Sequence, residues 1–180
     1  MWRPPVGTLQ PTNICAGTNV TFTATPTNGG TTPSYQWKLN GVNVGTNSPT
    51  YSNNALTNLV PVTCVMTSNA ACVTGSPATS NSITMTVNPS VAASVNIAPT
   101  ATNVCAGTNV TFTATPTNGG AAPSYQWKLN GNNVGTNSST YSNNTLANGN
   151  LVSCVMTSNA ACVTGSPATS NTITMTVNPI

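Results

Sequence analysis

Acidic side chains and histidine are missing altogether from this chain: Asp+Glu is 0, His is 0, and Lys+Arg is 3 over 180 residues. The three cations are Arg3, Lys38 and Lys128. Only 2% of residues are charged, against about 25% in an ordinary soluble domain. These absences exclude most chemistry. General acid–base catalysis draws mainly on His, Asp and Glu. Neither a Ser–His–Asp nor a Cys–His arrangement can be assembled, and there are no paired carboxylates for glycoside hydrolysis. Calcium sites need carboxylate oxygens, and zinc sites cluster Cys with Cys or His. The 6 cysteines never stand at the C-x-x-C spacing of zinc ribbons and thioredoxin-like centres. The expectation is a chain that is not an enzyme, with no catalytic residue, metal or cofactor.

Other absences narrow the partners. A formal net charge of +3 without a basic stripe leaves no electrostatic footprint for nucleic acid. No apolar run is long enough for a membrane helix, so membrane insertion is not expected. Met1-Trp2-Arg3-Pro4-Pro5 is not followed by the apolar core of a signal peptide. The chain therefore reads as an internal fragment or a mature form whose export signal lies elsewhere. A nearly neutral surface has little self-repulsion, which favours self-association; Thr, Ser and Asn keep it wetted. Cysteine in a polar, strand-rich chain points to an oxidising compartment.

What the chain does contain is a duplication. Cys15, Cys64 and Cys72 recur as Cys105, Cys154 and Cys162, each offset by 90 (105−15, 154−64, 162−72). Positions 11–90 match 101–180 at 66 of 80 places without a gap. The expected domains are 1–89 and 90–180, joined at Asn88-Pro89-Ser90-Val91. The segment Met1–Gln10 has no match in Val91–Thr100.

Each copy reads as all-β. Asn19-Val20-Thr21-Phe22-Thr23-Ala24-Thr25 alternates apolar and hydroxyl residues with period two. Tyr35-Gln36-Trp37-Lys38-Leu39 alternates again and ends in Asn40-Gly41, a type I′ hairpin signal. Val62–Met66 and the unbroken Ser82–Val87 are further strands, and turn clusters separate them. Several short strands in about 90 residues predict an antiparallel immunoglobulin-like β-sandwich. In that fold Val20, Phe22 and Ala24 belong to strand B, Trp37 to strand C and Cys64 to strand F. Phe22, Trp37 and their copies Phe112 and Trp127 are the expected core. Ala24 stands where the first core cysteine of an antibody domain would be, and Val62 where its corner tyrosine would be. The usual B–F disulfide is therefore excluded.

Ile14-Cys15-Ala16-Gly17-Thr18-Asn19-Val20-Thr21-Phe22, Tyr35-Gln36-Trp37-Lys38-Leu39-Asn40-Gly41 and Thr86-Val87-Asn88-Pro89 resemble the Ig/PKD-like repeats of large cell-surface proteins of the Bacteroidetes. The resemblance spans both copies. It implies a non-catalytic structural repeat in the stalk of an extracellular adhesin, a gliding protein or a filament, exported by the type IX system. The implied partners are other copies of the chain or neighbouring repeats. The alternative is a module binding glycan or another surface polymer, for which Tyr51, Tyr141 and the loops 43–48 and 133–138 are the places to look. The Thr rows (Thr21, Thr23, Thr25; Thr84, Thr86; and their copies) suit the wet face of a strand, or, if flat, an ice- or glycan-binding array. Asn19, Asn109, Asn137 and Asn143 stand in N-glycosylation patterns.

Three cysteines per repeat is an odd number, which points to an external partner or a free thiol. Cys64 on strand F is expected to face Trp37. Cys15 just before strand B and Cys72 just after strand F are expected at opposite ends of the sandwich. A strand of five or six residues spans roughly 17–20 Å, whereas a disulfide needs Cα atoms within about 7 Å. Joining repeats in series brings Cys15 toward Cys162, and between molecules Cys105 toward Cys72. A Cys64–Cys72 bridge across the F–G hairpin and a Cys15–Cys64 bond are the competing connectivities.

Overall fold

A computed structural model describes residues 12–180; Arg3 and the unmatched opening segment lie outside the described residues. The chain divides into two compact units, Met1–Pro89 and Ser90–Ile180. Each is an immunoglobulin-like β-sandwich, and there is no helix among the described residues.

In the first unit, strand Ser34–Leu39 pairs antiparallel with Val42–Val44 on one side and Pro61–Thr67 on the other. Its hairpin has a two-residue turn. Asn40 (φ 49°) and Gly41 (φ 80°) are both left-handed, as a type I′ turn requires. Strand Val20–Thr23 pairs with Thr50–Asn53 to make the opposing layer. The second unit repeats this plan. Its opposing layer also includes Ser94–Pro99, running antiparallel to Val110–Thr117; the corresponding positions of the first unit lie outside the described residues.

Period-two alternation puts one face of each strand inside. Val20, Phe22 and Ala24 are buried, while Thr21 and Thr25 are exposed. In Pro61–Thr67 the buried residues are Val62, Cys64 and Met66. Trp37 and Trp127 are 0% exposed. Trp37 lies directly opposite Cys64 in the ladder, and Trp127 opposite Cys154. Phe22 and Phe112 reach the tryptophans from the other layer, with ring centroids 6.3 Å apart in both units. Tyr51 stacks on Trp37 at 5.8 Å and on Phe22 at 6.1 Å. An aromatic trio thus spans the gap between the sheets. No polar or charged residue is buried among those described.

The expectation of one unbroken final strand, Ser82–Val87, is corrected. It splits into Ile83–Thr84, which pairs antiparallel with Pro61–Thr67, and Thr86–Asn88, which pairs parallel with Asn13–Cys15. Met85, 2% exposed, sits at the break. The second unit breaks in the same way at Met175, between Ile173–Thr174 and Thr176–Asn178. The strand changes neighbours there, so its two halves close different edges of the sandwich.

One difference between the repeats has a conformational cost. Leu59 is left-handed, with φ 59°, and 60% exposed; its counterpart is Gly149, φ 81°. Both N–H groups make the same bond, Leu59 to the Met85 carbonyl and Gly149 to the Met175 carbonyl, each at 2.8 Å. A left-handed leucine costs about 1–2 kcal/mol, which glycine avoids while losing about 0.5–1 kcal/mol of chain entropy on folding. Leu59→Gly is therefore expected to stabilise the first unit by on the order of 0.5 kcal/mol, whereas Trp37→Ala costs about 3–5 kcal/mol. Urea unfolding of the two variants beside the parent chain checks both signs.

Candidate functional site

The cysteines concentrate whatever reactivity the chain has, and their positions follow from the strand pairings. Ile14 is buried under the sandwich, which fixes the short strand Asn13–Cys15 against Thr86–Asn88 with Cys15 in register with Asn88. The Ala16 N–H donates to the Asn88 carbonyl at 2.8 Å, and the Thr18 N–H to the Cys15 carbonyl at 3.1 Å. The Asn88 side-chain amide also donates to Asn13 Oδ1. Cys15 therefore lies at the end of the unit where the chain leaves it. Cys105 occupies the same place in the second unit, in register with Asn178, with the Ala106 N–H donating to the Asn178 carbonyl at 2.9 Å.

Cys72 lies at the other end. Thr27 and Asn28, which follow strand Val20–Thr23, share one groove with Met66, Cys72, Val73 and Ala78. Ser68 Oγ donates to the Asn28 carbonyl at 2.7 Å and ties the two segments together. Strand Val20–Thr23 thus runs from the Cys15 end to the Cys72 end, as expected. In the second unit the Cys162 carbonyl accepts the Val91 N–H at 3.0 Å, and Val91–Ala92 pairs parallel with Val163–Thr164. Cys162 accordingly sits where the chain enters its unit. Cys72 and Cys162 both have φ 56°, a backbone state uncommon for a residue with a β-carbon. Sequence reasoning missed this, because nothing in Ala70-Ala71-Cys72-Val73 announces a left-handed turn.

Gly30 and Gly120 hold the neighbouring loop. A β-carbon on Gly30 would stand 2.2 Å from Asn69 Oδ1 and 2.6 Å from the Ala70 nitrogen. Only glycine admits the Asn69 side chain, which accepts the Thr32 N–H at 3.0 Å. The end bearing Cys72 is built on that contact.

The sulfurs are in three states. Cys15 and Cys162 are disulfide-bonded. Cys72 and Cys105 are free and exposed, and Cys64 and Cys154 are free and buried. Burial pushes the Cys64 and Cys154 thiols up to about 11, against a smaller opposing pull from the backbone N–H groups of Gln36 and Gln126. The Cys64–Cys72 and Cys15–Cys64 bridges are both ruled out by the free thiol at Cys64. Its place opposite Trp37 in the ladder keeps the sulfur within the core.

The other places singled out are occupied by internal contacts. The indole N–H of Trp37 donates to the Ser48 carbonyl at 2.9 Å, and Asn47 Oδ1 accepts the Tyr35 N–H at 2.7 Å. Loop 43–48 therefore braces the strand bearing Trp37. Loop 133–138 does the same through Ser138 and Asn137. The Tyr51 ring is stacked on the core, and its hydroxyl accepts from the Asn53 amide at 2.8 Å; Tyr141 and Asn143 repeat this. Thr84 and Thr86 are exposed but pair with different neighbours across the break at Met85. A row of hydroxyls divided in that way is not one flat array. Thr21 instead makes a cross-strand bond with Ser52, Oγ1 to Oγ 2.7 Å.

No family model matches the chain, and no curated protein matches it. Among solved structures it is similar to murine CEACAM1b, at 15% identity and a TM-score of 0.42, covering 93% of this chain and 96% of that one. It is similar to the fibronectin(III)-like modules of Clostridium thermocellum CbhA, at 14% identity and a TM-score of 0.37, covering 92% and 89%. It is also similar to the N-terminal four Ig domains of Dscam1 isoform 6.9, at 16% identity and a TM-score of 0.45, covering 98% of this chain and 46% of that one.

The thiolate is the form that reacts; Cys72 and Cys105 are exposed, whereas Cys64 and Cys154 are buried and their thiols are pushed up by burial. With iodoacetamide at pH 8, Cys72 and Cys105 are expected to be alkylated in the folded protein. Cys64 and Cys154 should react at least about tenfold more slowly and catch up only in denaturant. Mass spectrometry of the timed digest checks the order.

Proposed function

We propose that this chain is a non-catalytic structural repeat of an extracellular bacterial adhesin stalk or filament, joined to its neighbours end to end. The observation that carries the reading is the placement of the cysteines outside the core. Each repeat has one at the end where the chain leaves it and one at the opposite end, which in the second unit is where the chain enters, and one of each kind is disulfide-bonded. Disulfides inside a domain staple its sheets; cysteines at its two ends serve its connections. A bonded pair also suits an oxidising, extracytoplasmic compartment.

On this reading Cys15 and Cys162 are partners. Cys15 is held against Asn88 and Cys162 against Val91. Those two residues are three apart in the chain, a span of at most about 11 Å. A linker this short is compatible with a bond between them.

The terminal strands support a mechanical role. In each unit a short early strand pairs parallel with the last one, Asn13–Cys15 with Thr86–Asn88 and Asn103–Cys105 with Thr176–Asn178. Tension between the chain ends slides such strands past each other, so their hydrogen bonds carry the load together rather than one at a time. The residue inventory, with neither acid nor imidazole, agrees with a role in which nothing is turned over. The resemblance to Bacteroidetes surface repeats supports a stalk on the outside of the cell. For the alternative, a glycan-binding module, the Tyr51 and Tyr141 rings are stacked on the core, and Asn47 and Asn137 Oδ1 are taken up by backbone N–H groups.

Two measurements test the proposal. Antibodies against the chain are expected to label intact producing cells; label seen only after lysis would contradict an extracellular stalk. Under single-molecule extension, Ala106→Pro removes the N–H that donates to the Asn178 carbonyl and is expected to lower the unfolding force of the second unit. An unchanged force would show that the terminal strands bear no load.

A further inference from the structure

Two exposed thiols remain, and the repeat says what they are for. Cys105 is the counterpart of Cys15, and Cys72 the counterpart of Cys162. Both counterparts are disulfide-bonded. The free positions therefore reproduce two environments that already carry a disulfide in the same molecule. Cys105 has the register and turn of Cys15: parallel pairing with Asn178, the Ala106 N–H on the Asn178 carbonyl, and the Thr108 N–H on the Cys105 carbonyl at 3.1 Å. Cys72 has the φ of Cys162, 56°. Small neighbours flank each thiol, Ala106 and Gly107 beside one, Ala70 and Ala71 beside the other, so another chain can approach within the 4.4–6.8 Å Cα separation that a disulfide needs.

We propose that Cys105 of one copy and Cys72 of a second copy form a disulfide, making the chain a unit of a covalent head-to-tail polymer. The contact is heterologous: each molecule offers one cysteine of each kind, Cys72 on the first unit and Cys105 on the second, so bonding between copies joins unlike surfaces and extends into a filament. The inference rests on the end-to-end reading above and adds the residues that make the bond. The formal charge of +3 per chain gives little repulsion against it.

The oxidant is a low-molecular-weight disulfide, such as oxidised glutathione. The Cys105 thiolate attacks one of its sulfurs; the S–S bond breaks and one thiolate leaves, giving a mixed disulfide on Cys105. The Cys72 thiolate of the second copy attacks the Cys105 sulfur, and the second small thiolate leaves. Two protein thiols are oxidised, one small disulfide is reduced to two small thiols, and the two protons pass to the leaving thiolates. Cys64 and Cys154 are buried and take no part.

The test uses the full chain at high concentration in oxidised glutathione, run on a denaturing gel with and without reductant. The parent chain is expected to give a ladder at multiples of 18.2 kDa that collapses on reduction. Cys72→Ser alone and Cys105→Ser alone should stay predominantly monomeric. Their equimolar mixture should give a dimer and nothing longer, with a linked peptide containing Cys72 and Cys105. Two results overturn the inference: a parent chain that stays monomeric with both thiols capped by glutathione, or single variants that dimerise alone as readily as the mixture. Failure here, with surface labelling of cells intact, removes the covalent bond and leaves the stalk reading standing. Loss of surface labelling removes the stalk reading itself.

Discussion

Everything in each repeat depends on one packed column: a tryptophan from one sheet, lying beside the buried cysteine of the neighbouring strand and reached by a phenylalanine and a tyrosine from the other. In the first unit this is Trp37, Cys64, Phe22 and Tyr51; in the second, Trp127, Cys154, Phe112 and Tyr141. In antibody domains the tryptophan packs on a disulfide between strands B and F. Here Ala24 replaces the first of those cysteines, so hydrophobic contact alone joins the sheets at this level. The core is apolar throughout, and the one polar atom of the tryptophan is satisfied by the Ser48 or Ser138 carbonyl. That bond fixes the adjoining polar loop against the tryptophan strand.

A core that needs no disulfide frees cysteine for other uses. Cys64 remains as a small buried hydrophobe, and the other two positions move to the ends of the unit. Chemistry, packing and topology thus divide cleanly along the chain. The interior gives stability, and we propose that the parallel terminal strands take load and that the thiols and disulfides at the ends connect the repeats. The charge-poor Thr- and Asn-rich surface has no part in any of these, beyond keeping the strand faces wet and offering little repulsion to a neighbour.

Much of this was legible in the sequence. Alternation at Val20, Phe22 and Ala24, the Trp37 strand ending in Asn40-Gly41, and the cysteine facing Trp37 are local patterns with a single physical interpretation each. The separation of Cys15 from Cys72 followed from strand length and direction. The broken last strand was not legible. Ile83, Met85 and Val87 keep period two straight across the break, and that period is the same whichever sheet the strand joins. The left-handed backbone at Cys72 and Cys162 was equally silent, because it is imposed by the surrounding turn and not by cysteine. The engagement of loops 43–48 and 133–138 with the tryptophan strands was hidden as well: Asn and Ser look alike whether they face solvent or brace a backbone.

The most direct test of this account is a map of disulfide-linked peptides from the native, non-reduced protein. The repeats are distinguishable for this purpose, since Ile14 and Ser82 in the first stand where Val104 and Thr172 stand in the second. The account predicts a peptide containing Cys15 joined to one containing Cys162, with Cys64 and Cys154 recovered as free thiols. A bond joining Cys15 to Cys72 within one repeat would contradict it, because the two ends of the sandwich would then be close together and the cysteines would serve the domain and not its connections.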